Sequence, residues 1–116
     1  SQVHIGHNTQ IGQHSIVCGQ VGIAGSSKVG DFCLLGGQVG IIPGITIGDN
    51  VKLAARAGII ENKESNNSYA GFPAINSTQW KKQAILTKRL PQLSKKIKEL
   101  EEKISKLETI TKSKNL

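Results

Sequence analysis

Starting at Ile5 and stepping by six, the chain presents Ile5, Ile11, Val17, Ile23, Val29, Leu35, Ile41, Ile47, Leu53 and Ile59, ten branched aliphatic residues in ten steps. The position after each is mostly small: Gly6, Gly12, Cys18, Ala24, Gly30, Gly36, Gly48 and Ala54, with Ile42 and Ile60 as exceptions. Four places after each aliphatic residue comes a small or medium side chain, such as Thr9, Ser15, Val21, Ser27, Cys33 or Ala57. A period of six does not fit an amphipathic helix, and thirteen glycines weigh against one. It is the period of a parallel β-helix, in which each hexad is a short strand plus a corner and three hexads close one triangular coil. The aliphatic residue plugs the narrow interior, and glycine eases the corners. Ten hexads predict just over three coils, each paired to the next at about 4.8 Å. The first coil has nothing above it, and an open β-helix end is an exposed strand edge that needs a cap. Earlier coils are therefore expected before Ser1, in keeping with the missing initial methionine.

After Ile60 the pattern stops. Residues 61–77, ENKESNNSYAGFPAINS, are polar and turn-rich and read as a loop. The reading divides the chain into a β-helix over 1–62, a connecting loop over 63–77 and a helical extension over 78–116. Ser77 or Thr78 is the expected helix cap. The first helix is predicted from about Gln79 to Leu90, with Pro91 ending or kinking it. A second follows with Leu93, Ile97, Leu100, Ile104 and Leu107 at 3-4 spacing, and Leu86 and Leu90 extend the phase backwards. This heptad stripe suits a short coiled coil or a bundle with partner subunits. The terminal KSKNL is expected to fray.

Composition narrows the picture. The aromatic residues are Phe32, Phe72, Tyr69 and Trp80, so the core must be built from Val, Ile, Leu and small residues. No apolar run approaches the roughly 20 residues of a membrane span. Two cysteines without a signal peptide point to a reducing compartment, the cytoplasm, and no disulfide. Cys18 and Cys33 also fall on different faces, which argues against a bond between them. The net charge of +7 resides in residues 78–98, which hold Lys81, Lys82, Lys88, Arg89, Lys95, Lys96 and Lys98 and no acid. Elsewhere eight basic and eight acidic residues cancel. This stretch is either a solvated helix face or a docking surface for an acidic protein. Nucleic acid fits less well, because stacking aromatics are almost absent.

Three histidines, His4, His7 and His14, share the first two hexads and half of the third. Residues eighteen apart stack on one face, so His7, Gly25 and Pro43 form a column with Gly44 beside it, and His14 lies one face away. One face holds only His4 and His7, and a metal site would need His14 from a neighbouring subunit. No metal is expected. From spacing alone His7 is a surface residue, a base or a ligand.

The runs VHIGHNTQIG, GQVGIAGSSKVG, CLLGGQVGI, TIGDNV and YAGFPA…W, in order over residues 3–107, resemble the carboxy-terminal part of the UDP-3-O-acylglucosamine N-acyltransferases of lipid A biosynthesis. The sister O-acyltransferases typically carry His-Asp where this chain has His7-Asn8, which favours the N-acyltransferases. The resemblance implies a left-handed parallel β-helix, mainly β with C-terminal α-helices, assembled as a homotrimer with active sites in clefts between subunits. It implies an acyl carrier protein thioester as donor, with its phosphopantetheine arm and no other cofactor, and a UDP-acylglucosamine as acceptor. It makes His7 the general base, a step a neutral imidazole suits, and Gly25 the backbone N–H donor to the oxyanion. Asn8, Gly44, Gly58 and Tyr69 become substrate-binding positions. Gly58 aligns with a position that can be bulky and helps to close the far end of the acyl groove; bare here, it is expected to leave that end open to a longer chain, unless Gly58 is only a corner glycine with positive φ. The basic stretch becomes the carrier-docking surface.

Three departures accompany the resemblance. The family usually carries a second histidine where this chain has Gly44. The acid that orients the catalytic histidine falls before Ser1. The family's uridine-binding domain, which precedes the β-helix, is absent from this chain. Beside the N-acyltransferase stand a non-catalytic trimeric scaffold for acyl carrier protein and the O-acyltransferase sister.

Overall fold

The computed structural model describes residues 2–114. Ten two-residue strands recur every six residues: β1 (His4–Ile5), β2 (Gln10–Ile11), β3 (Ile16–Val17), β4 (Gly22–Ile23), β5 (Lys28–Val29), β6 (Leu34–Leu35), β7 (Gly40–Ile41), β8 (Thr46–Ile47), β9 (Lys52–Leu53) and β10 (Gly58–Ile59). They are followed by β11 (Ser68–Ala70), β12 (Ile75–Asn76), α1 (Ser77–Lys88) and α2 (Leu90–Lys114). The strands stack into three sheets, β1-β4-β7-β10, β2-β5-β8 and β12-β11-β9-β6-β3. Every pairing between coils is parallel, with residues eighteen apart in register through β10. The fold is a parallel β-helix followed by C-terminal helices.

The interior explains the six-residue rule. The second residue of each strand points inward, and from Ile23 onward these plugs are buried. Ile11 and Val17 are half-buried and Ile5 is 51% exposed, because the first coil is covered from one side only. The residue four after the plug lines the interior, and where it is Ser, Thr or Cys it also satisfies a corner carbonyl. Buried Ser27 donates its hydroxyl to Ile42 O at 3.0 Å and accepts Ile45 N–H at 3.3 Å. Ser15 Oγ and Cys33 Sγ make the matching bonds to Gly30 O and Gly48 O. A hydroxyl here is a paired group, so it costs the core little.

Each corner turns through one left-handed residue. Asn8, His14, Gln20, Ser26, Phe32, Gln38, Asn50 and Arg56 hold φ between 52° and 64°, and Gly44 holds 73°. The conformation costs a side-chain-bearing residue on the order of 1–2 kcal/mol. The next coil compensates with a backbone bond, as where Ser26 N–H reaches His7 O at 2.7 Å.

The segment read as a loop is in part a fourth coil. β11 pairs parallel with β9 and antiparallel with β12, and Tyr69 sits in register with Leu53. Tyr69 follows Leu53 by sixteen residues, not eighteen, and the isolated bridge of Ile47 with Lys63 shows the same two-residue shortening. Gly71, at φ 92°, turns the chain so that its bare Cα lies under the Trp80 indole.

Helix α1 begins at Ser77, earlier than the sequence suggests, and its cap is Asn76 and not Ser77 or Thr78. Asn76 Oδ1 accepts the N–H groups of Thr78 at 3.0 Å and Gln79 at 3.4 Å. Asn76→Ala removes both bonds and is expected to cost about 1 kcal/mol; a urea midpoint equal to wild type would show that the cap contributes nothing. The helical run breaks at Arg89, just ahead of Pro91, as expected. Pro91 is the second residue of α2, within the first turn, where its missing N–H is harmless. Lys112–Lys114 of the tail expected to fray are helical, and Asn115 and Leu116 lie outside the described residues. No helix among the described residues is long and apolar enough to cross a membrane.

The chain divides into two compact units, Ser1–Lys81 and Lys82–Leu116. The second unit exposes Leu86, Leu90, Ile97, Leu100, Ile104 and Leu107, and Leu93 is half-buried. The heptad stripe is therefore unburied within one chain.

Candidate functional site

His7 stands at the corner after β1 with its side chain in solvent. One coil on, Gly25 occupies the same corner. Ser26 N–H donates to His7 O at 2.7 Å and Gly44 N–H donates to Gly25 O at 3.1 Å, so the column read from the eighteen-residue spacing is real. A Cβ on Gly25 would come within 3.2 Å of His7 O, which is why a glycine fits so closely over the histidine.

The N–H groups at this corner are left open. On the neighbouring edge the equivalent groups are capped by side chains: Gln13 N–H by Asp31 Oδ1 at 2.7 Å, Asp31 N–H by Asp49 Oδ1 at 2.8 Å and Asp49 N–H by Ser65 Oγ at 2.8 Å. Among the described residues neither His7 N–H nor Gly25 N–H donates a hydrogen bond. Gly25 has no side chain to cap its neighbour and Pro43 offers no polar atom. The corner thus carries the exposed His7 side chain and backbone N–H groups that donate to no group among the described residues.

Round this corner, on the outer face of the β1-β4-β7-β10 sheet, lies a groove of about 600 Å³. Its floor is the column His4, Gly22, Gly40, Gly58, in register on successive strands. A Cβ on Gly22 or Gly40 would touch nothing within 4 Å. Ile42 and Ile60, both exposed, line it. The other two sheets carry side chains at the matching outward positions: Gln10, Lys28 and Thr46 on one, Ile16, Leu34 and Lys52 on the other.

The other expected site residues divide. Asn8 adjoins His7 at the left-handed corner position, exposed. Gly44 occupies the same left-handed corner position one coil after Ser26, and it offers backbone only. Gly58 floors the groove, but its backbone φ is not left-handed, so it is no corner glycine. Nor does it leave that end open: a Cβ there would collide with the Phe72 ring, which already lies across Gly58. Phe72 thus covers the groove floor at Gly58. Tyr69 is corrected. It takes a plug position in the shortened coil, half-buried against the core, with Lys63 Nζ 4.8 Å from its ring centroid, on a different sheet from the His7 column.

His4 lies on the groove floor. His14 is stacked on Phe32, with ring centroids 5.1 Å apart. Among the described residues no three His, Cys, Asp or Glu side chains group as metal ligands would. Cys18 and Cys33 are both free thiols, Cys33 buried. Lys81, Lys82, Lys88, Arg89, Lys95 and Lys96 are all exposed. Sequence reasoning missed Phe72 and Arg56. The second had a signal, since Arg56, Gln38 and Gln20 are eighteen apart on one column and their side chains join in a ladder.

Residues 26–61 match the family model described as bacterial transferase hexapeptide (six repeats). No curated protein matches the chain. Among solved structures, a variant of the perosamine N-acetyltransferase from Caulobacter crescentus in complex with CoA and GDP-perosamine is 23% identical, with a TM-score of 0.64 over 65% of this chain and 36% of that one. Serine acetyltransferase isoform 3 from Entamoeba histolytica, in complex with cysteine, is 24% identical, with a TM-score of 0.49 over 60% of this chain and 32% of that one. The chain spans about a third of the length of each. The first likeness is one of fold, and with the family match it fixes the architecture: residues 26–61 carry the hexapeptide repeat of the bacterial transferases.

Proposed function

We propose that the chain is the β-helical part of an acyltransferase that moves an acyl chain from acyl carrier protein to the 2-amino group of a UDP-3-O-acylglucosamine, working as a homotrimer. The observation that carries the reading is the corner where His7 stands beside the unpaired N–H of Gly25, next to a glycine-floored apolar groove on the same coils.

The chemistry runs as follows. The sugar amine attacks the thioester carbonyl carbon, and the His7 imidazole takes the amine proton as the C–N bond forms. Charge gathers on the carbonyl oxygen, where Gly25 N–H donates to it. The C–S bond then breaks, the sulfur leaves with the proton held by His7, and amide and free thiol result. No covalent enzyme intermediate is needed, so Cys18 and Cys33 have no part. The groove receives the acyl chain, with Phe72 as its stop. The exposed cations from Lys81 to Lys96 attract the acidic carrier protein, and the unburied stripe on α2 joins three chains. Gly44, which offers only backbone, favours the alternative of a carrier-binding scaffold without turnover.

Mass-spectrometric detection of acyl transfer from acyl carrier protein decides between these. Transfer to the amine acceptor and not to the hydroxyl of UDP-N-acetylglucosamine is the expected outcome. Carrier binding without transfer would make the chain a scaffold, and hydroxyl preference would make it the sister enzyme. In the same assay Phe72→Ala is expected to shift preference toward longer donors, by about 0.8 kcal/mol for each methylene newly buried. An unchanged chain-length profile would remove Phe72 as the stop.

A further inference from the structure

We infer that Arg56 is an anion-binding residue at the edge of the groove, so that the groove's ligand is an alkyl or acyl chain with a negatively charged head, phosphate or carboxylate, nearby. The inference rests on the reading of the groove as an alkyl-chain site and adds the chemistry of what the chain is attached to.

Arg56 is the one charged side chain among those lining the groove, apart from the titratable His4. It is held in place from one side. Arg56 Nε donates to Gln38 Oε1 at 2.8 Å, and Gln38 Nε2 donates to Gln20 Oε1 at 2.8 Å. The three residues occupy the same left-handed corner position on successive coils. The partner is a neutral amide, so the guanidinium charge is not compensated there. Of the acids in the repeat, Asp31 and Asp49 each spend an oxygen on backbone N–H groups of another corner, and Glu61 is exposed to solvent. A guanidinium fixed at Nε keeps its terminal nitrogens for an outside acceptor, and its planar fork matches a phosphate or carboxylate. Pre-fixing the fork lowers the ordering cost of binding.

The groove itself selects the tail. Its floor at Gly22 and Gly40 has no side chains, its sides are Ile42 and Ile60, and Phe72 closes it over Gly58. A second copy of the chain would also cover apolar surface, but burying Arg56 against it would demand an acid on the partner face. A small amphiphile with its own anion meets both conditions.

Calorimetric titration of the chain with dodecyl phosphate, dodecanoate and dodecanol, each below its micelle concentration, tests this. At least one anion is expected to bind tenfold or more tighter than the alcohol, and the better one names the head group. Arg56→Gln is expected to abolish that difference while leaving dodecanol binding unchanged. Glutamine already occupies this left-handed position at Gln20 and Gln38, so the variant is compatible with the coil. Arg56→Lys, which keeps charge but loses the fork, is expected to retain part of the difference. Equal binding of anions and alcohol by wild type would overturn the role of Arg56 and leave the groove reading standing. Binding of none of the three would overturn both. A change of sedimentation coefficient in Arg56→Gln without a change in ligand preference would assign Arg56 to an interface between copies and overturn the proposal.

Discussion

Under the proposed amine acylation, His7→Ala is expected to lower amide formation on the order of 10²–10⁴ while leaving the fold and the assembly as they are. The two halves of that expectation have separate causes. The amine nitrogen becomes cationic as it attacks and must shed a proton for the amide to form, and His7 is the side chain placed at the corner where Gly25 N–H is unpaired. Removing the imidazole leaves the donor aimed but nothing to take the proton. The fold is indifferent, because the His7 side chain is exposed and only its backbone carbonyl, which accepts Ser26 N–H at 2.7 Å, belongs to the coil. Alanine keeps that carbonyl. Steady-state rates with acyl carrier protein as donor, alongside circular dichroism and sedimentation, check both halves. His14→Ala is the control. His14 lies at a left-handed position against the Phe32 ring, and its loss is expected to leave the rate within a few-fold. A rate for His7→Ala close to wild type removes His7 from the mechanism, and a collapse with His14→Ala moves the chemistry to the other edge.

The architecture was legible because one physical constraint repeats. A narrow triangular interior accepts one aliphatic side chain per strand, so the plug column from Ile5 to Ile59 shows in the sequence as a strict period of six. Where the constraint lapses, legibility ends. The fourth coil is shorter by two residues, so two steps of six from Ile59 land on Gly71, while the plug position paired with Leu53 belongs to Tyr69. The packing of Tyr69 against the end of the core therefore does not show in the period. The helix cap was missed by one residue for a related reason. Asn76, Ser77 and Thr78 all have capping side chains, and only the strand β12 ending at Asn76 decides among them. At the site, the His7–Gly25 column was readable from spacing, since stacking is a backbone property. Phe72 over Gly58 was not, because it depends on the turn between β11 and β12 folding back onto β10, where Ala74 N–H bonds Gly58 O at 2.9 Å.

The same repeat position carries different weight in different coils, and Leu35→Ala against Ile5→Ala measures it. Leu35 has no exposed surface and lies in the column Val17, Leu35, Leu53, with coils both before and after it. Truncation deletes buried methyl groups and leaves a cavity, which costs 2–5 kcal/mol depending on how far the walls can close, about 2–5 being the range for Leu→Ala in cores. Here they close little. The strands on either side are tied at fixed spacing by Cys18 N–H to Leu35 O at 3.0 Å and Gly36 N–H to Leu53 O at 2.8 Å, so the backbone cannot sink inward without breaking its own ladder. The loss is therefore expected in the upper half of that range. Against a total stability of about 5–15 kcal/mol it is a large fraction. A solenoid coil touches only its neighbours, so no distant part of the core offsets a defect at the middle of the stack. Ile5 is half exposed in this chain and gives up roughly half the transfer free energy of a buried isoleucine, about 1 kcal/mol. Urea unfolding of both variants, with equal slopes, reads the difference directly. Equal destabilisation would mean that burial along the plug column does not set the energetics of this β-helix, and a larger effect at Ile5 would mean that its first coil is covered in solution.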